Sequence, residues 1–281
     1  MRKITTEMIR LFKEFLINEE KAEATVTKYV HDVGALQAWL GEHELTKIKV
    51  LAYKSYLCEH YAPTSVNTAL SSLNSFFKYM EWFDLKVRNL KIQQQIFVST
   101  NKELTKSEYD RLLLAAKRKN ERLYLLMQTI CATGIRVSEV CNITVKAVLE
   151  GVTEINCKGK RRKVFLPKQL CQMLRRYIKV KEIKSGPVFV TKNGNPLDRS
   201  NIWNDMKKLC KEANVSENKV FPHNLRHLFA RTYYSKQKDI VRLADILGHS
   251  SINTTRIYTM ETGEIHRRQI QKLGLLHIDY T

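Results

Sequence analysis

Ala132-Thr133-Gly134-Ile135-Arg136-Val137-Ser138-Glu139 is the stretch on which the reading of the second half of this chain turns. Leu123 to Ala132, just before it, is apolar on most sides and predicts a buried helix. Thr133-Gly134 ends that helix. A second helix is expected to begin near Arg136 and run to Ile143, so Arg136 stands at a helix start, where backbone N–H groups favour an anion. Glu139 follows three residues later, on the same helical face. Alone, such an Arg–Glu pair is an ordinary surface ion pair.

What changes its weight is the sequence downstream. Pro222-His223-Asn224-Leu225-Arg226-His227 puts a proline where a first helical turn accepts one. The i, i+3 spacing then sets His223 and Arg226 on one face. Arginine offers a planar fork to phosphate oxygens; histidine accepts a proton near neutral pH. His227 reads as a packing or capping residue. Further on, Leu243 to Leu247 is a helix closed by Gly248, which turns His249 outward. Tyr258 comes nine residues after His249, one of 12 tyrosines and singled out only by that position. Two guanidiniums, two imidazoles and a phenol in this order suit the holding of a phosphodiester while a tyrosine attacks it.

Between these segments Val152 to Cys157 and Lys163 to Leu166 read as two strands around a basic turn. That turn, Lys158-Gly159-Lys160-Arg161-Arg162-Lys163, holds five cations in six residues, which cannot pack together in a core. It is either a solvated turn or one held against a phosphate backbone, with one lysine as proton donor. Chemistry leaves Lys158, Lys160 and Lys163 open for that role. Pro167 begins another helix, Val188 to Thr191 reads as a short strand, and helices resume over 199–213, 222–234, 239–247 and 252–258.

Residues 1–85 carry helical apolar stripes. One lies over Thr5–Ile17, a second runs from Thr25 to Leu40 with Gly41 past its end, a third over Val50–His60, and a fourth is capped by Thr64. Residues 86–101 break that period and read as an extended linker. Thr105-Lys106-Ser107-Glu108 is a capping box that restarts helix.

The 281 residues are comfortable for two domains. The formal charge is +20, unevenly placed. Residues 1–98 hold 13 Lys and Arg against 11 Asp and Glu; residues 99–281 hold 35 against 17. That surplus suits a polyanion. No apolar run spans a membrane, and the N-terminus lacks a signal-peptide pattern. Six cysteines without a CxxC pair, and no histidine cluster beside them, point to reduced, mostly buried thiols in a cytoplasmic protein and away from a zinc site.

With these segments in place, the chain resembles the tyrosine recombinase (phage integrase) family, in its short Xer-type and mobile-element form. The resemblance rests on Ala-Thr-Gly-Ile-Arg-Val-Ser-Glu, Pro-His-Asn-Leu-Arg-His, Leu-Gly-His-Ser and Ile-Tyr-Thr in order. It implies a mainly α fold with a small β insert: an N-terminal SAM-like helical core-binding domain over 1–88, a linker over 89–101 and a catalytic domain over 102–281. No room is expected for an arm-site-binding domain. The resemblance assigns Tyr258 as the nucleophile that forms a 3′-phosphotyrosine, and Arg136 and Arg226 as ligands of the non-bridging oxygens. His223 takes the phenol proton or bonds the phosphate, and His249 donates to the phosphate. Lys158 protonates the leaving 5′-hydroxyl, and Glu139 orients an active-site Arg or His. Lys160, Arg161, Arg162 and Lys163 become candidates for contact with the DNA backbone, in a hairpin richer in cations than the family pattern. No metal or nucleotide cofactor is implied. The implied partner is double-stranded DNA with a specific core site, bound by a homotetramer on paired sites and compatible with accessory DNA-bending proteins. A tail over 260–281 is expected to dock on a neighbouring protomer. A type IB topoisomerase-like enzyme and an inactive DNA-binding protein are the competing readings. The compact first domain and the tail favour a recombinase over the former, and the intact residue set argues against the latter.

Overall fold

The structure, a computed structural model, describes residues 2–92, 102–157, 160–191, 193–258 and 271–273. It divides into two compact units, Met1–Gln94 and Gln95–Thr281.

The first unit is built from four helices: α1 (Thr6–Asn18), α2 (Glu23–Leu40), α3 (Lys47–His60) and α4 (Pro63–Tyr79). Their apolar stripes meet in a core where Phe12, Leu16, Leu36, Leu70, Leu73, Phe76 and Phe77 are fully buried. Each such side chain contributes about 1.5–3 kcal/mol by leaving water. Phe12 and Phe76 meet edge to face at 5.2 Å, an arrangement that aligns a ring edge with a ring face. The fourth helix starts two residues earlier than a Thr64 cap implies. Pro63 takes the first helical position after Ala62, because its fixed φ and missing N–H cost nothing there.

The segment after a short 3-10 turn (Phe83–Leu85) is extended, but not free. Asn74 donates to the Val87 carbonyl at 2.8 Å and accepts from the Val87 amide at 2.9 Å. Asn67, two helical turns earlier, does the same for Leu90 at 3.0 and 2.7 Å. Two side-chain amides thus stand in for a strand's ladder partner. Residues 86–90, read from sequence as the start of a linker, are clasped along α4; residues 93–101 lie outside the described residues.

In the second unit α5 (Lys106–Lys119) opens with the expected capping box, Thr105 and Glu108 each satisfying the other's backbone. Its partner α6 (Glu121–Thr133) is buried along Leu125, Leu126, Met127 and Ile130. Gly134 ends α6 in the left-handed region, where a Cβ would meet the Phe229 ring at 2.5 Å. The helix expected from Arg136 is a 3-10 helix, Val137–Asn142. A six-residue helix, α7 (Val145–Glu150), follows it and is too short to register as a period.

Strands β1 (Val152–Cys157) and β2 (Lys160–Phe165) pair antiparallel with Ile155 opposite Arg162 and Thr153 opposite Val164. The second strand therefore begins three residues before its expected start at Lys163. Strand alternation sends Arg162 to the same side as buried Val164, with Phe165 out in solvent. The short strand expected over 188–191 is reduced to two isolated bridges, Thr144 with Pro187 and Val190 with Pro196. Helices α8 (Lys168–Val180), α9 (Arg199–Lys207), α10 (Cys210–Ala213), α11 (Pro222–Gln237), α12 (Ile240–Leu247) and α13 (Ile252–Arg256) follow. Among the described residues, no helix is long and apolar enough to cross a membrane. The thiols are less buried than expected: Cys171 and Cys210 are inside, whereas Cys58 and Cys141 are exposed.

Candidate active site

Four pieces of the second unit converge: the 3-10 helix with Arg136 and Glu139, the first turns of α11, the end of α12, and the residues after α13. At their centre is Arg226, 1% exposed. It donates to the Gly134 carbonyl at 2.5 Å and the Leu247 carbonyl at 2.7 Å, and faces His249 Nε2 at 3.1 Å. Burial, then the charge of Arg136, pushes its pKa down to about 10, so it remains a cation at neutral pH.

Arginine has only donors, so His249 Nε2 is the acceptor of that contact. Its Nδ1 then carries the proton and donates to Thr255 Oγ1 at 2.8 Å. Burial, followed by the charges of Arg226, Arg136 and Arg162, pushes the His249 pKa down to about 4. Its imidazole is therefore neutral at pH 7. His223 is also held below its ordinary value, by burial and by Arg226, Arg136 and Arg199. A neutral imidazole is able to accept a proton.

Tyr258 is 4% exposed. Its ring stacks on His249 at 6.0 Å and meets His227 edge to face at 4.8 Å. Burial raises its pKa, against the pull of the nearby Arg226 and Arg136 guanidiniums. His227, set aside in the sequence as a packing residue, thus lies between the nucleophile candidate and His223, whose ring is 4.5 Å away. The i, i+4 spacing from His223 was the signal available in the sequence for that placement. Burial, then His223, pushes the His227 pKa down to about 3.

Arg136 is one-third exposed and partly committed. Its amide donates to Glu139 Oε2 at 2.9 Å, its Nη1 to Glu139 Oε1 at 2.8 Å, and its Nη2 to the Gly248 carbonyl at 3.2 Å. The anion at this helix start is the protein's own carboxylate. Burial alone would raise the Glu139 pKa, but the hydrogen bonds from Arg136 and the charges of Arg162 and Arg136 hold it below the ordinary value. Arg136, His223 and Arg226 line one cavity of about 320 Å³. Arg199 and Trp203 of α9 line it too, and neither was singled out by the sequence.

The basic hairpin divides. Arg161 and Lys163 are exposed, Lys163 lying 3.7 Å from Glu154. Arg162 turns inward, only 12% exposed, and is committed to Glu139 and the Ile246 carbonyl. Its geometry counters the expectation that it meets a DNA backbone, because strand alternation points it at the core. Lys158 and the side chain of Lys160 lie outside the described residues, as does nearly all of the tail over 260–281.

The phage integrase family matches residues 102–264, and the phage integrase N-terminal SAM-like domain matches residues 9–83. The chain belongs to the phage integrase family. Tyrosine recombinase XerA of Thermococcus kodakarensis is 31% identical over 280 residues, covering 96% of each chain. Tyrosine recombinase XerC of Lacticaseibacillus casei is 30% identical over 280 residues, covering 90% of this chain and 94% of the relative. The crystal structure of XerA recombinase is similar over 98% of this chain and 100% of its own, at 27% identity and a TM-score of 0.54. The fold also matches that of a lambda integrase dimer bound to a COC′ core site, with a TM-score of 0.74, 17% identity and 99% of each chain covered. Membership carries the class of activity: this is a tyrosine recombinase, mainly helical with one small sheet, whose N-terminal domain is SAM-like.

Proposed function

We propose that this phage integrase family member cuts and rejoins double-stranded DNA at a specific core site, with Tyr258 forming a 3′-phosphotyrosine. The observation that carries the reading is the single hydrogen-bonded and stacked group of Arg226, His249 and Tyr258. It puts a phenol, a cation and a neutral imidazole at one point.

The chemistry follows from those groups. A buried phenol stays protonated until a base takes its proton, and His223 is the neutral imidazole on the cavity. Phenolate oxygen attacks phosphorus, the bond to the 5′ oxygen breaks, and the leaving oxygen takes a proton, a role assigned to Lys158. Arg136 and Arg226 offset the charge that builds on the non-bridging oxygens. For His249 to donate to the phosphate, Nε2 must carry the proton, and Nδ1 then accepts from the Thr255 hydroxyl. Glu139 holds Arg136 in place. The phosphotyrosine conserves the bond energy, so a second 5′-hydroxyl reverses the attack without a metal or nucleotide. Exchange between duplexes calls for several protomers. A homotetramer on paired sites fits that need, and one solved structure of similar fold is a lambda integrase tetramer bound to a Holliday junction. The cytoplasm is where such a protein meets chromosomal DNA.

The test is covalent capture. A pool of nicked duplexes with randomised cores is offered to wild-type protein, and a denaturation-resistant adduct is expected. Tyr258→Phe is expected to form none. An equal adduct in that variant would refute the nucleophile, and no adduct on any duplex would leave a DNA-binding protein.

A further inference from the structure

Arg162 has no part in the phosphoryl chemistry proposed above, and its contacts are specific. Three consecutive carbonyls close α12: Ile246, Leu247 and Gly248. Each accepts from a different arginine, Ile246 from Arg162 at 2.6 Å, Leu247 from Arg226 at 2.7 Å and Gly248 from Arg136 at 3.2 Å. The last carbonyls of a helix have no partner inside it and carry the negative end of its dipole. Here the two preceding ones are taken by the turn itself, Asp245 by Gly248 N and Ala244 by His249 N, both at 3.0 Å. Three guanidiniums take the rest.

The other arm of Arg162 reaches Glu139 Oε2 at 2.5 Å. Glu139 divides its oxygens, Oε1 to the Arg136 side chain and Oε2 to the Arg136 amide and Arg162. The shape agrees with the bonding. Gly248 sits at φ +64°, and a Cβ there would run into Cδ and Nε of Arg162. Glycine is required both for the turn and for the side chain that passes beneath it. Arg162 therefore touches the carboxylate that holds Arg136 and the turn that presents His249. A lysine has one charged nitrogen on a flexible stem and lacks the planar fork that spans both acceptors.

We infer that Arg162 is a positioning residue of the recombinase centre, which locks Glu139, and with it Arg136, to the Ile246–His249 turn. The inference rests on the reading of Arg136, His249 and Tyr258 as the phosphate-handling groups. It also joins strand β2, which follows Lys158 in the sequence, to the same lock. The effect is on rate: displacement of a catalytic group by about an ångström costs roughly 100-fold in rate, while the DNA surface is untouched.

The experiment uses the full chain and one nicked duplex recovered from covalent capture by wild type. Wild type, Arg162→Ala, Arg162→Lys, Glu139→Gln, the Arg162→Ala/Glu139→Gln double variant and Tyr258→Phe are compared for duplex affinity, its salt slope and single-turnover adduct rate. Arg162→Ala is expected to bind as wild type with an unchanged salt slope and to form adduct about 100-fold more slowly. Arg162→Lys is expected to be slowed about 10-fold. In the Glu139→Gln background, Arg162→Ala is expected to add less than about threefold, because the two residues act together. An unchanged rate in either Arg162 variant overturns the inference. So does a weakened affinity whose salt slope falls by about 1, the signature of a phosphate contact. Fully additive losses overturn it as well. If Arg162→Ala does not fold, Arg162→Lys and its coupling to Glu139→Gln decide. Failure of wild type to form adduct, or adduct from Tyr258→Phe, refutes the site reading itself and is distinct from these outcomes.

Discussion

The two units of this recombinase use polar side chains in different ways. In the first, Asn67 and Asn74 each make a matched pair of hydrogen bonds to an extended segment, neutral group to neutral group. Such amides are satisfied and chemically idle; they fix where the chain runs. In the second, Arg136, Arg162 and Arg226 hold the end of α12, Arg136 and Arg226 also line a cavity, and Tyr258 and His249 close around Arg226. A guanidinium has five N–H groups and a charge, so one arm can anchor while another meets a substrate. The near-neutral first unit and the strongly cationic second unit match that division. One device gives order alone, the other gives order and reactivity together.

Substitutions should separate them. The largest effect is expected from Arg226→Ala. It leaves two carbonyls and a buried phenol without their cation, and should lower adduct rate by about 10³-fold and stability by about 3 kcal/mol. Denaturant unfolding and single-turnover cleavage measure the two losses; a variant that lost only stability would break the comparison. Asn74→Ala strips both bonds from Val87 and should cost about 2 kcal/mol, with the adduct rate at saturating DNA unchanged. A slowed rate there would mean that the first unit's clasp also tunes chemistry. Thr255→Val removes the partner of His249 Nδ1 and should slow cleavage roughly fivefold, the worth of about one hydrogen bond.

A further effect concerns pH. The folded state holds His249 near 4 and His227 near 3, each below the ordinary 6.5. The unfolded chain therefore binds more protons between about pH 6.5 and 3, so stability is full above that window and is lost as pH falls through it. A thermal melt should drop in midpoint from pH 7 to 4, and His227→Asn should flatten the drop. A midpoint as steep in that variant would place the titration elsewhere.

Much of this was legible in sequence because local chemistry dictated it. Thr105 with Glu108 announces a helix start, and Gly134 and Gly248 announce helix ends, since those turns need positive φ. The i, i+3 spacing placed His223 with Arg226. Arg162 was misplaced for a physical reason. Five cations in six residues read as a turn in solvent or against a phosphate backbone, but the strand begins at Lys160, and one step of register decides which side chain faces inward. A cation was also not expected inside, yet the Ile246 carbonyl and the Glu139 carboxylate make that position favourable. Arg199 and Trp203 reach the cavity from a helix about twenty residues before His223, and nothing local announces such a contact. The helical period broke at residue 86 as expected. That Asn67 and Asn74 would hold the segment beyond it depended on amides facing an extended backbone, which no period reveals.

The central claim is that Tyr258, among 12 tyrosines, becomes the covalent link to DNA. Trypsin cleaves after Arg256 and Arg267, and the peptide between them holds Tyr258 as its one tyrosine. Mass spectrometry of the digested, nuclease-trimmed adduct should find the 3′-nucleotide on that peptide; a nucleotide on any other tyrosine would contradict the account.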